Sequence, residues 1–316
     1  MTQQLRLLIF IILCIQFEAM SQEPDYIYEI QIGTDNDKFI AYTDTDRNYT
    51  YGINANFRWQ PKDESLAHSW FNNIAGHFYE IGLNVEAYTP NYLEDSESDT
   101  YERPFAGWSY ATLQSTYTFK KSYLRFGLEA GILGYQSQAG QIQNWFHENV
   151  SNDATLDWTG QIPNQLGINA KATYAYSLYD LSLLDVYASS EASLGNVFTY
   201  IWPRIHFRFG KFNKITESLA TLNSVLAPSK ASEIFFEYGL GVRFSAYNAT
   251  IQGNIFDTNC VFHDNDINHA IFTMHLGLNL SVDRFSFIAK YQYGTGEYEY
   301  TKKHSYGMFN ILYRFN

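Results

Sequence analysis

Long stretches of this chain alternate, residue by residue, between apolar side chains and polar or small ones. In Tyr123–Ile132, Leu124, Phe126, Leu128, Ala130 and Ile132 stand against Arg125, Gly127, Glu129 and Gly131. Ile234, Phe236, Tyr238, Leu240, Val242 and Phe244 stand likewise against Glu237, Gly239, Gly241 and Arg243. The stretches 272–280 and 284–293 repeat the pattern. A period of two marks strands with one apolar face. A soluble sandwich also alternates, but it seldom needs so many consecutive strands of this length. About ten tilted residues is what a bilayer demands of a strand. A strand facing lipid on one side and a lumen on the other averages to polar, so no apolar helix-length window is needed. An aromatic content of 18% fits that reading better than a secreted soluble protein.

Residues 1–21 read as a signal peptide. Arg6 supplies the positive start, Leu7–Ile15 the apolar core and Ala19-Met20-Ser21 the cleavage pattern. Cys14 lies in that core after Leu13, which is no lipoprotein signature, so the mature chain keeps only Cys260 and makes no internal disulfide. Residues 22–316 form one domain, an all-β transmembrane antiparallel barrel with a short helix in an outer loop. The expected strands are 26–34, 49–59, 78–88, 106–119, 122–133, 165–178, 182–194, 197–210, 233–247, 268–280, 284–294 and 304–316. An even number leaves both termini on the periplasmic side of a bacterial outer membrane. The outward loops are then 35–48, 89–105, 134–164, 195–196, 248–267 and 295–303. Two inner turns, 60–77 and 211–232, are longer than the barrel requires.

The stretch Thr34–Gly52 crowds Asn36, Asp37, Asp44, Asp46 and Thr50 around one outer loop. Oxygen donors of this kind suit a hard cation such as calcium, although turns favour Asp and Asn without any ligand. Alternation directs Glu80, Gly82, Asn84 and Glu86 into the lumen, and it places Thr50 on the inward face with Gly52, Asn54 and Asn56. Glu86 is then a carboxylate near the outer rim, suited to a site or to an ion pair across the lumen. Among the histidines, His68 and His77 fall in an inner turn, and His206 and His275 fall within strands. His147, His263, His269 and His304 remain near the outer rim. His147 lies in the helix-compatible stretch Gln136–Val150, one turn after Gln143 and Asn144.

Several motifs recur here in a family's order. They are Asn36-Asp37-Lys38-Phe39, Asp46-Arg47-Asn48-Tyr49-Thr50-Tyr51-Gly52, Tyr88-Thr89-Pro90 and Arg103-Pro104-Phe105-Ala106-Gly107-Trp108. Gly131-Ile132-Leu133-Gly134, Gln143, His147, Trp158 and Gln161-Ile162-Pro163-Asn164 follow. Together they resemble the outer-membrane lipid A 3′-O-deacylases, most densely over residues 27–170. The resemblance implies a monomeric, calcium-dependent ester hydrolase acting on lipid A of lipopolysaccharide in the outer leaflet. It makes His147 the base that activates water, sets Asn36 and Asp37 at a Ca2+ site, and brings Thr50 into the active centre. Glu86 is grouped with them as a further oxygen at the metal. A metal Lewis acid can supply several kcal/mol of oxyanion stabilisation, and an imidazole of ordinary basicity accepts a proton near neutral pH.

The chain departs from the family in having no lysine between Pro90 and Arg103, in Asp35 before Asn36, and in Gln165 where Glu is usual. The missing lysine bears on headgroup contacts more than on hydrolysis. A formal net charge of −12 gives no footprint for nucleic acid, and it would need divalent cations to bridge a phosphorylated lipid. A porin is the serious rival, since Arg58, Arg125, Glu129, Glu237, Arg243 and Lys290 would all suit a pore. An outer-membrane phospholipase is another. Serine hydrolysis is weaker, for want of a G-x-S-x-G.

Overall fold

The computed structural model describes residues 26–39, 48–62, 71, 73–90, 103–151, 154–257, 266–298 and 303–316. The signal peptide, Asp44, Asp46, His68, Cys260 and His263 lie outside them. Twelve strands close into one antiparallel barrel. They are β1 (Tyr28–Asn36), β2 (Asn48–Trp59), β3 (Gly76–Thr89), β4 (Ala106–Thr118), β5 (Ser122–Leu133) and β6 (Gln165–Asp180). They continue as β7 (Leu184–Gly195), β8 (Phe198–Lys211), β9 (Glu233–Asn248), β10 (Ala270–Val282), β11 (Phe285–Thr295) and β12 (Lys303–Phe315). Each pairs with its neighbours in sequence, and β1 with β12. Closure leaves no strand edge unpaired in a solvent that offers no hydrogen bonds. No helix among the described residues is long and apolar enough to cross a membrane.

The alternation holds in three dimensions. Phe126, Leu128, Phe285, Phe287, Phe309 and Ile311 are all exposed on the outer wall. Inside, polar groups satisfy one another. Arg58 donates to Glu29 Oε1 at 2.7 Å, to Gln31 Oε1 at 2.5 Å and to Glu80, and all four residues are buried. A buried charge is tolerated only when paired and hydrogen-bonded in this way.

The long inner turn after β8 folds back into the barrel. Arg125 donates to Thr221 O at 3.0 Å and to Asn223 Oδ1 at 2.9 Å, and Arg208 donates to Ser218 Oγ at 2.7 Å. Ser224 Oγ donates to Glu29 Oε2 at 2.6 Å, and Arg314 donates to Ser224 O at 3.1 Å. Leu219 packs on Ile288 and Leu312, fully buried. This turn is a plug held by lumen arginines, which accounts for its length. At the other end Tyr88, Trp108, Leu133, Ile162, Val197 and Ala249 form an apolar cluster across the mouth.

Candidate active site

The site begins at an irregularity in β2. Its register with β3 slips between Tyr49, opposite Tyr88, and Tyr51, opposite Ala87, so Thr50 is the extra residue of a β-bulge. Tyr49 turns inward, and its hydroxyl donates to Asp35 Oδ1 at 2.9 Å. That bond requires Gly52, where a Cβ would stand 2.1 Å from the same oxygen. Thr50 turns the other way, with its Oγ1 2.7 Å from Thr89 Oγ1. The inward placement expected for Thr50 from unbroken alternation is therefore corrected, because the inserted residue flips the phase.

Thr89 belongs to the outward set of β3. Along that face exposure is 48% at Ile81 and 69% at Leu83, then falls to 0% at Ala87 and 1% at Thr89. A helix supplies the cover. Helix α1 (Ala139–Phe146) lies on the outer wall, where Ala139 and Ile142 pack with Tyr51, Val85 and Ala87. Tyr51 donates its hydroxyl to Ala139 O at 2.7 Å, and Ser109 Oγ donates to Ser137 O at 2.6 Å. The helix reaches the wall by a turn at Gly134, whose φ of 101° suits only glycine. Gly107 allows the close approach, since a Cβ there would meet Ala139 Cβ at 2.7 Å.

Residues four apart share a helix stripe. Ala139, Gln143 and the following His147 are all buried, whereas Trp145 and Phe146 are exposed, as are Tyr135 and Val150 nearby. His147 caps the helix and opens a π-type turn. Its Nδ1 lies 2.8 Å from Ala154 O. A carbonyl can only accept, so Nδ1 carries the hydrogen and Nε2 the lone pair in the neutral ring. Asn144 sets that carbonyl in place. It donates to Leu156 O at 3.0 Å and accepts from Leu156 N–H at 2.9 Å, clipping the returning chain to the helix.

Asn36 ends β1 opposite Tyr51, hence on this same outer face. Its Oδ1 accepts the Lys38 N–H at 2.7 Å, which shapes the turn that buries Asp37 to 2% exposure. Phe39 continues outward and stacks edge-on against Phe309. Asn36, Thr50 and the docked stripe bearing His147 thus belong to one side of the wall, with Asp37 at the turn beside them. Glu86 does not. It is opposite Gly52 and inside the lumen, where it accepts from Tyr88 Oη at 2.6 Å and Tyr110 Oη at 2.8 Å. Its expected place beside the other oxygens is corrected by the thickness of the sheet.

The remaining expectations sort by the same rule. Arg103 is buried over the inward ring of Tyr88, 4.7 Å from its centroid, and donates to Thr250 Oγ1 at 2.8 Å. Burial pushes its guanidinium down to about 10, still charged at neutral pH. His269 Nδ1 donates to Ser245 O at 2.8 Å, and His304 lines the lumen cavity with Glu86 and Tyr306. Reading the sequence named Asn144 beside His147 and Thr89 within a motif without giving either a role, and it missed the carbonyl of Ala154. The four-residue spacing of Ala139, Gln143 and His147 was the one signal that could have found the docked stripe.

Below the helix the outer wall is concave. Ala55, Leu83, Ala111 and Ala130 stand in one row across β2 to β5. With Ile30, Phe57, Ile81, Leu113 and Leu128 they line an almost wholly apolar groove of about 680 Å³.

A family model described as "Outer membrane protein LpxR" matches residues 7–315. Among solved structures, LpxR from Salmonella typhimurium superposes with a TM-score of 0.71 at 18% identity, covering 91% of this chain and 100% of that one. The beta domain of the Bordetella autotransporter BrkA gives 0.45 at 9% identity, covering 92% of this chain and 99% of its own. The translocator domain of the autotransporter NalP from Neisseria meningitidis gives 0.42 at 10%, covering 99% and 95%. No curated protein matches the chain in sequence.

Proposed function

The chain belongs to the LpxR family of outer-membrane proteins, and from that premise we propose that it is a lipid A deacylase hydrolysing a 3′-linked acyl ester in the outer leaflet. The observation that carries the proposal is the position of His147. It is buried at the end of a helix docked on the lipid-facing wall, and its Nδ1 donates to Ala154 O, so that Nε2 carries the lone pair of the neutral ring. Chemistry at that place meets a lipid in the membrane, and the plugged lumen supports no solute path for the porin reading.

In this reading Nε2 takes a proton from water as its oxygen attacks the ester carbonyl. The proton passes to the departing alkoxide, so that one ester and one water become one acid and one alcohol. Ala154 O holds the ring as it becomes cationic, and Asn144 clips Leu156, two residues further on, to the helix. The apolar groove seats the acyl chain, its row of alanines making room between Leu83, Leu113 and Leu128. The donors at the end of β1 fit calcium: a buried carboxylate at Asp37 and an amide oxygen at Asn36, both hard ligands, with the Thr50 hydroxyl on the same face. Glu86, across the wall, is not in the set. Bound there, calcium supplies Lewis-acid stabilisation of developing negative charge on the ester oxygen.

Purified protein in detergent, given lipid A and calcium, is expected to release fatty acid that mass spectrometry detects, with chelator stopping release. Acyl release from phospholipid alone would transfer the reading to a phospholipase. Calcium-independent ion conductance with no release from either lipid would sink it.

A further inference from the structure

Far from the outer wall, three strands bring together side chains that the proposed hydrolysis does not use. His206 on β8, Glu237 on β9 and His275 on β10 meet inside the lumen. One ligand atom from each lies within 4.8 Å of the others. We infer that this His-Glu-His cluster binds a divalent transition-metal ion of the zinc class.

The separations support it. His206 Nδ1 and His275 Nε2 stand 3.4 and 3.5 Å from the same oxygen, Glu237 Oε1. Those are too long for good hydrogen bonds. Ligands held at about 2.0–2.1 Å around a tetrahedral ion are separated from one another by about 3.3–3.4 Å. Among the described residues neither nitrogen has a hydrogen-bond partner, although the three residues are at most 7% exposed. A buried polar atom without a partner is costly, and here two face one carboxylate oxygen.

The surroundings are built to hold the atoms so. The register places Gly239 between the two histidines, and a Cβ there would stand 2.1 Å from His275 Cε1. Only a glycine lets the rings close over the strand. His206 stacks flat on Tyr187 at 4.2 Å between centroids, and its Nε2 lies 2.9 Å from Ser189 Oγ. A hydroxyl accepting the Nε2 hydrogen leaves the Nδ1 lone pair aimed at the cluster, the outer contact a ligating histidine ordinarily makes. Tyr187 donates to Glu237 Oε1 at 2.8 Å, and Lys290 Nζ occupies Oε2 at 2.9 Å. Oε1 is thus the oxygen turned to the metal. Two imidazoles and one carboxylate select a borderline ion over calcium, which prefers oxygen throughout. Three protein ligands leave a fourth position for water, and the ion would clasp β8, β9 and β10 across the lumen.

Cobalt(II) is the probe, added to the full chain in detergent after dialysis against chelator. One equivalent is expected to bind with visible d–d absorption and to be displaced by Zn2+. His275→Gln and Gly239→Ala should each abolish the bands, the second with every ligand still present, while His147→Ala should keep them. X-ray absorption of the zinc-loaded wild type should show two imidazoles in the coordination shell, a measurement that needs no variant to fold. The inference is overturned by absence of saturable cobalt binding, by bands that survive His206→Gln/His275→Gln, by bands lost in His147→Ala, or by a shell without imidazole.

Discussion

At the residue scale the outer wall separates roles that the linear chain runs together. His147→Ala removes the proposed base, and loss of a general base costs about 10²–10⁴-fold in rate. The variant should keep the barrel's circular dichroism, because the ring packs on the wall rather than in the lumen. Asn144→Ala spares the base but frees the Leu156 clip that positions Ala154 O. A supporting partner of this kind is worth about 10–100-fold, so kcat should fall by that order with KM little changed. A drop in KM alone would count against the positioning role. Asp37→Ala should raise the calcium needed for half-maximal acyl release, with excess calcium restoring part of the rate. Glu86→Gln should leave that calcium requirement where it was, since its carboxylate is bonded to Tyr88 and Tyr110 inside the barrel. A shifted calcium requirement in Glu86→Gln, with none in Asp37→Ala, would return the site to the lumen.

At the scale of elements, the helix and the strands beneath it must be treated as one unit. Eight residues are too few for a stable isolated helix in water, so α1 owes its form to docking. Tyr51→Phe deletes one bond between wall and helix, about 1 kcal/mol, and should raise hydrogen exchange across 139–147 while activity persists. Gly107→Val is harsher. Its side chain enters the space of Ser137 Oγ and Ala139 Cβ, so the helix should undock, exchange rapidly and lose hydrolysis while the strands stay protected. If hydrolysis survives with α1 undocked, His147 acts without the wall and the geometry argued above is irrelevant to it.

For the whole molecule, the plug decides between a closed vessel and a pore. Arg125, Arg208 and Glu29 of the lumen are bonded to Ser218, Thr221, Asn223 and Ser224 of the inner turn, and the other lumen charges pair with one another across the strands. Replacing residues 213–231 by a short turn should therefore raise ion conductance in planar bilayers above that of the intact protein. Acyl release should continue, because the site lies on the other face of the sheet. Arg58→Leu would test the wall network beneath the plug, since Glu29 accepts from both Arg58 and Ser224. It leaves Glu29 and Glu80 buried without their cation, a loss of roughly 3–5 kcal/mol, readable as a lower midpoint in denaturant.

What the sequence by itself determined is whatever a strand's own residues encode. Period-two alternation at Tyr123–Ile132 or Phe272–Leu280 reports which face meets lipid, because neighbouring side chains point to opposite sides whatever the partner strand. Twelve such runs of bilayer length leave a barrel as the economical outcome, and strand ends then moved by only a few residues. Tertiary structure alone decided which side of the wall holds Asn36, Thr50 and the helix that carries His147. One inserted residue turns Thr50 outward and Tyr49 inward while the rest of the strand keeps its phase, and a bulge is a property of two paired strands that neither sequence displays. The long turn at 211–232 likewise carries no local sign of being a plug, since its partners Glu29, Arg125 and Arg314 come from distant strands. His147 was legible in the sequence as a candidate base, but its surroundings were not. Its ring is fixed by a carbonyl seven residues on, and the helix that carries it docks on Tyr51 and Ala87 of far earlier strands, which only the closed chain brings together.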